Sequence, residues 1–248
     1  MKDQKIKMNK TPIEWVKNPD GSQGHTSNPI KGICKGGCSY CYSRKFYKRF
    51  KWNPEIRLDK KELIAPLFET KPFGIFLGSM HDIFGPWIQN NWVDSIFRII
   101  SICPQHRFYL LTKFPENVTC QRFYKHRIMP ENVWFGITIT GEDYIEDQRL
   151  IMELKHVEAK IKFISFEPLL GPLADDVANA ISTHEIDWII IGARTQPLKL
   201  PEREWVDDIQ WFANHSVGNK IPLFIKNNLK PLLGKNLKQE FPKYGGVV

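Results

Sequence analysis

The chain has no apolar run long enough to cross a bilayer. Its longest runs, such as Trp188 to Gly192, are a handful of residues, against the roughly 20 that a spanning helix needs. No membrane partner is expected. An export signal is missing as well: the opening MKDQKIKMNK is basic and polar, without an apolar stretch. The expected location is cytoplasmic, where thiols stay reduced. Cysteine is scarce, with five in 248 residues, and in a reducing compartment clustered thiols more often bind metal or do catalysis than form disulfides. Low-complexity linkers and abrupt shifts of composition are absent, so one domain is expected over 1–248, with a basic N-terminal tail (1–10) and a Lys-rich C-terminal segment (228–248). Acidic groups are in deficit, at 27 Asp+Glu against 35 Lys+Arg, which leaves a net charge of +8. Such a field favours a polyanionic partner without dictating a fold.

What is present is a repeating theme. Short apolar runs rich in β-branched and aromatic residues occur at 73–80, 108–113, 134–140, 161–169, 188–194 and 222–227, and 26–33 offers a seventh. Their near-continuous apolarity suits strands covered on both faces, as in a parallel sheet. Segments with helical spacing lie between them, at 90–103, 115–127, 142–156, 172–182 and 202–215, and earlier at 42–51 and 60–68. Strand and helix alternate as βα units. About six to seven parallel strands with outer helices are too few for a closed eight-stranded barrel. The expected class is α/β, a partial TIM-type barrel. With 42% hydrophobic residues over this length, the core needs no metal or disulfide to hold it, so a bound metal would serve function.

Three of the five cysteines fall within eight residues, in Gly32-Ile-Cys34-Lys-Gly-Gly-Cys38-Ser-Tyr-Cys41-Tyr42. Thiols at spacings of four and three around a flexible Gly36-Gly37 pair can converge on one inorganic centre. Structural zinc takes four protein ligands, and a cubane iron–sulfur cluster is usually held by four cysteinates. Neither Cys103 nor Cys120 sits in a loop that offers a fourth. Zinc, an iron–sulfur cluster and an unligated loop all remain open on spacing alone.

The CxxxCxxC spacing, with Tyr40 before the last cysteine and a series of βα units behind it, resembles the radical S-adenosylmethionine (SAM) superfamily. The segments Thr11-Pro-Ile-Glu-Trp15, Leu77-Gly-Ser-Met-His-Asp82, Leu110-Leu-Thr-Lys113, Ile164-Ser-Phe-Glu-Pro-Leu-Leu-Gly171 and Ile189-Ile-Ile-Gly192 resemble a phage-associated, radical-SAM-like family of unknown function. Locally, Cys38-Ser-Tyr-Cys41-Tyr is similar to the motif of spore photoproduct lyases, which repair a thymine dimer. The resemblance implies a 4Fe-4S cluster on Cys34, Cys38 and Cys41, with SAM on the fourth iron. It further implies reductive cleavage of SAM to a 5'-deoxyadenosyl radical that abstracts hydrogen from substrate, and an external electron donor such as flavodoxin or ferredoxin. In such enzymes the cofactor carries the hard chemistry and the protein orients it.

In αβ barrels the site gathers at the carboxyl ends of the strands. There the sequence places Gly78, Ser79, Met80, Asp82, Lys113, Thr138, Glu167, Arg194 and Lys226. By the resemblance Gly78, Ser79 and Met80 would face the amino group of SAM, Tyr40 would pack near its adenine, and Thr138 would join the cofactor site. Glu167 would hold a ribose hydroxyl or a polar substrate group; its structural alternative is a salt bridge to Lys113 or Arg194. Lys113, Glu167 and Cys120 are the catalytic candidates. Cys120 could give a hydrogen atom to a product radical, or be a small buried residue within a helix. His25 and His81 lie nearest the expected mouth and read as hydrogen-bonding loop residues.

The positive charge is local. Residues 31–61 hold ten basic side chains against Glu55 and Asp59, an excess equal to that of the whole chain. Arg44, Lys45, Lys48, Arg49 and Lys51 interleave with Tyr42, Phe46, Tyr47, Phe50 and Trp52, the mixture that a phosphate backbone with stacked bases uses. The plainer alternative is an amphipathic helix with Phe46 and Phe50 toward the core. A nucleic acid or nucleotide is the expected substrate, for modification or repair. The alternative is a non-catalytic zinc- or cluster-containing nucleic-acid-binding protein.

Overall fold

A computed structural model describes residues 8–119, 123–126, 128–182, 186–215 and 220–243. It opens with β1 (Asn9–Lys10), β2 (His25–Ser27), β3 (Ile30–Lys31), α1 (Tyr42–Phe50) and β4 (Arg57–Leu58). Next come α2 (Lys60–Ile64), β5 (Gly74–Leu77), α3 (Asn90–Ile102), β6 (Arg107–Thr112), α4 (Glu116–Thr119), β7 (Val133–Ile139) and α5 (Tyr144–Lys155). The chain continues through β8 (Ile161–Phe166), α6 (Asp175–Ser182), β9 (Trp188–Ile191), β10 (Arg194–Thr195), β11 (Leu198–Lys199), α7 (Arg203–His215), β12 (Leu223–Ile225) and α8 (Lys230–Leu233).

Eight strands form one sheet in the order β1-β2-β5-β6-β7-β8-β9-β12. Seven run parallel, and β1 is antiparallel to β2. The apolar runs thus form a mostly parallel sheet with surrounding helices. The edge strand β1 lies inside the segment expected as a tail; two polar residues carry no apolar pattern, so only pairing defines it. Residues 1–7 and 244–248 of the two expected terminal segments lie outside the described residues. The sheet edges approach one another where Glu14 Oε2 accepts the backbone N–H of Asn227, just past β12, at 2.8 Å.

Alternation along the strands divides the core in two. Ile137, Ile164 and Ile189 point to the helices and pack in one cluster with Phe97, Ile151 and Ile209. Phe76, Tyr109, Trp134, Phe163, Trp188 and Phe224 point to the other face and form a second, largely aromatic cluster. Trp15 closes it, 1% exposed, with ring centroids 5.0 Å from Phe76, 5.7 Å from Tyr109 and 6.0 Å from Trp188. Burying an indole of roughly 200 Å² contributes about 5 kcal/mol before entropy. Phe241 packs on Trp188 and Phe224, at 5.3 Å from each, and anchors the Lys-rich end.

Further along each strand this inner face turns polar. Gly78 follows Phe76 by two residues, Lys226 follows Phe224 by two, and Thr138 and Lys113 follow Trp134 and Tyr109 by four. The period of two therefore gathers the sequence's polar strand ends over an aromatic floor. No helix among the described residues is long and apolar enough to cross a membrane.

Candidate functional site

The polar ends surround a cavity of about 950 Å³. Its walls include Cys34, Cys38, Cys41, Tyr40, Gly78, Ser79, Met80, Lys113, Thr138 and Glu167. The three thiols enter from the loop before α1, and Cys41 caps that helix in an extended conformation. All three are half-buried, whereas Cys103 is 1% exposed in the helix-side core. Cys120 lies outside the described residues. Cys34 Sγ accepts the Gly36 N–H at 3.4 Å, and a Cβ on Gly36 would lie 3.5 Å from that sulfur. Burial pushes the Cys34 thiol pKa up. Among the described residues no three His, Cys, Asp or Glu side chains meet as ligands of a single metal ion. The thiols are separate donors lining a shared space, which fits a cluster whose irons each take a different cysteinate.

Polar contacts hold this loop to the sheet. The Arg44 guanidinium donates to the Cys34 carbonyl at 3.1 Å, so this expected phosphate ligand braces the cysteine loop. Buried His81 accepts from Trp87 Nε1 through Nε2 at 2.9 Å and, with its proton on Nδ1, donates to the Gly32 carbonyl at 3.1 Å. Burial lowers its pKa, in keeping with this neutral tautomer. His25, by contrast, starts β2 at the far end from the mouth and stacks on Phe73 at 4.0 Å.

Gly78 has φ +80°, and a Cβ there would come within 2.8 Å of the His81 carbonyl oxygen. Only glycine suits both the angle and the space. Asn28 Oδ1 accepts from Ser79 Oγ at 3.2 Å and Met80 N at 2.9 Å, and the Ser79 carbonyl accepts from Tyr42 Oη. Burial pushes the Tyr42 phenol up to about 12. Beside Cys38, burial likewise keeps the Tyr40 phenol protonated, and Lys113 Nζ lies 5.7 Å from its ring centre. The Lys113 backbone N–H donates to Asp82 at 2.9 Å, alongside Thr112 Oγ1 at 2.8 Å and Phe84 N at 3.0 Å. Part of Asp82 opens on the cavity, yet desolvation of its carboxyl outweighs these three bonds and raises its pKa.

Glu167 pairs with neither Lys113 nor Arg194. Lys226 donates to its Oε1, and Trp15 Nε1 and Ser165 Oγ donate to Oε2 at 2.8 and 3.3 Å. Sequence reasoning placed Lys226 and Glu167 at the mouth but missed their partnership, because β9 lies between β8 and β12. Asn28 was missed entirely; its position directly after the first parallel strand is the signal that could have found it. Lys31 is paired with Glu62 at 3.1 Å. Arg194 lines the cavity, and its Nε is buried with no hydrogen-bond partner among the described residues.

Of the remaining expected nucleic-acid ligands, Lys45 donates to the Gln196 carbonyl across the mouth. Lys48, Arg49 and Lys51 are exposed on α1 and its cap. Phe46 lines the cavity, but Phe50, one turn further along the same face at the helix end, is 51% exposed rather than packed in the core.

Several solved structures share this architecture. A spore photoproduct lyase variant with bound AdoMet and dinucleoside spore photoproduct is similar at TM-score 0.55 and 10% identity, covering 90% of this chain and 79% of that one. Spore photoproduct lyase complexed with dinucleoside spore photoproduct gives the same four values. A single-site variant of that lyase reaches TM-score 0.57 at 10% identity, with the same coverage. At this identity the likeness is one of fold. No curated protein matches the sequence. A family model covers residues 10–229, and the chain belongs to that family, described as Protein of unknown function (DUF5131).

Proposed function

We propose that this protein is a radical SAM enzyme, built on a partial βα barrel, that acts on a nucleic acid or nucleotide. The observation that carries the reading is the opening of Cys34, Cys38 and Cys41 into one cavity at the carboxyl ends of a parallel sheet. Three cysteines would hold a 4Fe-4S cluster and leave one iron for SAM. When bound, that pair supplies a 5'-deoxyadenosyl radical for hydrogen abstraction.

The chain's own residues would bind and orient. Gly78, Ser79 and Met80 form a turn fixed by Asn28, suited to the amino group of SAM. Tyr40 offers a ring beside Cys38, Thr138 a buried hydroxyl at the cavity wall, and Glu167 a carboxylate held in place by Lys226 and Trp15. Lys113 and Arg194 would meet negative charge. Trp15 and Phe76 floor the cavity, with Tyr109 packed behind Trp15. An electron donor of the flavodoxin or ferredoxin class would approach over exposed Lys35, Gly37 and Ser39. The dinucleoside-bound relatives in fold and the basic surface of α1 support a nucleic acid substrate.

Anaerobically reconstituted protein given dithionite and SAM should form 5'-deoxyadenosine, and the Cys38→Ala variant should form none. A cluster-bearing protein that leaves SAM intact would remove the enzyme reading.

A further inference from the structure

α1 ends in an unusual way. Lys51 has φ +51° and is, among the described residues, the one non-glycine in the left-handed region. That region is uncommon for a residue with a Cβ. Its effect is to fold the chain back, so that Trp52 N–H bonds to the Tyr47 carbonyl at 3.2 Å. The Trp52 ring then lies on Phe50, with centroids 5.2 Å apart and planes 24° from parallel. Tyr47 supports Trp52 edge-on at 5.4 Å.

This stack is not buried: Phe50 is 51% and Trp52 45% exposed. Two large aromatics held flat against each other in solvent gain little from burial. They present faces. Trp52, with Phe46 and Tyr47, also lines the cavity that holds the cysteines. The charge on α1 and its cap beside the stack is positive: Lys48, Arg49 and Lys51 have no carboxylate partner among the described residues, and the Arg49 guanidinium lies 5.3 Å from the Phe50 ring centre.

Resting on the nucleic-acid reading above, we propose that the Phe50–Trp52 stack is a base-stacking platform for single-stranded nucleic acid at the cavity rim. An unpaired base would stack on the rings while Lys48, Arg49 and Lys51 follow the phosphates. The neighbouring nucleotide would then be presented toward the cavity. Bases within a duplex already have both faces covered and cannot use such a platform, so unpaired strands are favoured.

The test is equilibrium binding of a fluorescein-labelled single-stranded DNA oligonucleotide, and of its duplex, to full-length cluster-bearing protein over a series of salt concentrations. Wild type should prefer the single strand and lose affinity steeply with salt. Trp52→Leu and Phe50→Leu should each weaken single-strand binding about 5- to 100-fold, with the salt slope unchanged, as the loss of one stacked base requires. Trp52→Phe should bind close to wild type, which a packing role alone would not require of Phe and deny to Leu. Leucine variants that bind as tightly as wild type, or a duplex bound as well as the single strand, would overturn the platform while leaving a nucleic-acid substrate standing. Wild type that binds neither form would overturn the underlying reading instead.

Discussion

Lys226 reaches Glu167 across the end of a strand that lies between them. Phe166 and Ile225 both pair with Ile191, which places Glu167, Gly192 and Lys226 side by side one residue further on. A Cβ at Gly192 would come within 2.9 Å of both Glu167 Oε1 and Lys226 Cδ. Glycine on the middle strand is what lets the ion pair close. The side chains are only 17% and 14% exposed, so their charges are largely withdrawn from water and each depends on the other.

Removing Lys226 should therefore cost more than removing both charges. Lys226→Met leaves Glu167 with two neutral donors and should lower stability by about 2–3 kcal/mol, below the full cost of a deeply buried pair because both groups keep some solvent. The double variant Glu167→Gln/Lys226→Met should lose less than the sum of the single changes, with a coupling of roughly 1–2 kcal/mol in urea melts. Strictly additive losses would mean that the pair contributes nothing beyond its separate members.

Asp147, 4% exposed at the start of α5, accepts backbone N–H groups from Gly141 at 2.7 Å and Thr140 at 3.3 Å. Burial nevertheless raises its pKa to about 6, aided by Asp143 and Glu146. The folded state thus holds a proton more tightly than the unfolded chain, and stability should fall as pH rises from about 4 to 6. The shift corresponds to about 3 kcal/mol. In Asp147→Asn that fall should be missing when stability is measured across the same range, and an unchanged slope would move its origin elsewhere.

His81 works in the opposite direction. Its depressed pKa means that the neutral ring is favoured by the fold, so its contribution is complete above the unfolded value near 6.5 and is lost as pH falls below it. A second proton would set Nε2–H against the Trp87 N–H that now donates to it. His81→Phe should lower stability at pH 8 by about 1–3 kcal/mol through the orphaned Gly32 and Trp87 groups. The difference from wild type should shrink on acidification. A difference constant from pH 8 to pH 5 would show that His81 takes up its proton as readily in the fold as in the unfolded chain, and that burial does not depress its pKa.

The strands were legible because parallel strands covered on both faces are apolar throughout, as in β7, where all seven residues are buried. Their polar ends were legible for the same reason: Lys113, Glu167 and Lys226 stand out against apolar runs. Partnership was not, since Trp15 and Glu167 are 152 positions apart and only the curl of the sheet brings them together. Edge strand β1 carries no apolar signal, and the stacking of Trp52 on Phe50 depends on one left-handed residue that periodicity does not register. The cysteine motif was the clearest feature, being short and local; that its thiols share a cavity with Glu167 and Lys113 required the fold.

The cluster assignment is tested most directly by iron and sulfide analysis with EPR spectroscopy on anaerobically reconstituted wild type and on Cys34→Ala, Cys38→Ala and Cys41→Ala. Three cysteinate ligands predict about four iron and four sulfide per wild-type chain, a reduced-cluster EPR signal that changes when SAM is added, and loss of the cluster in each variant. A colourless protein carrying one zinc, or a cluster that survives all three substitutions, would contradict it.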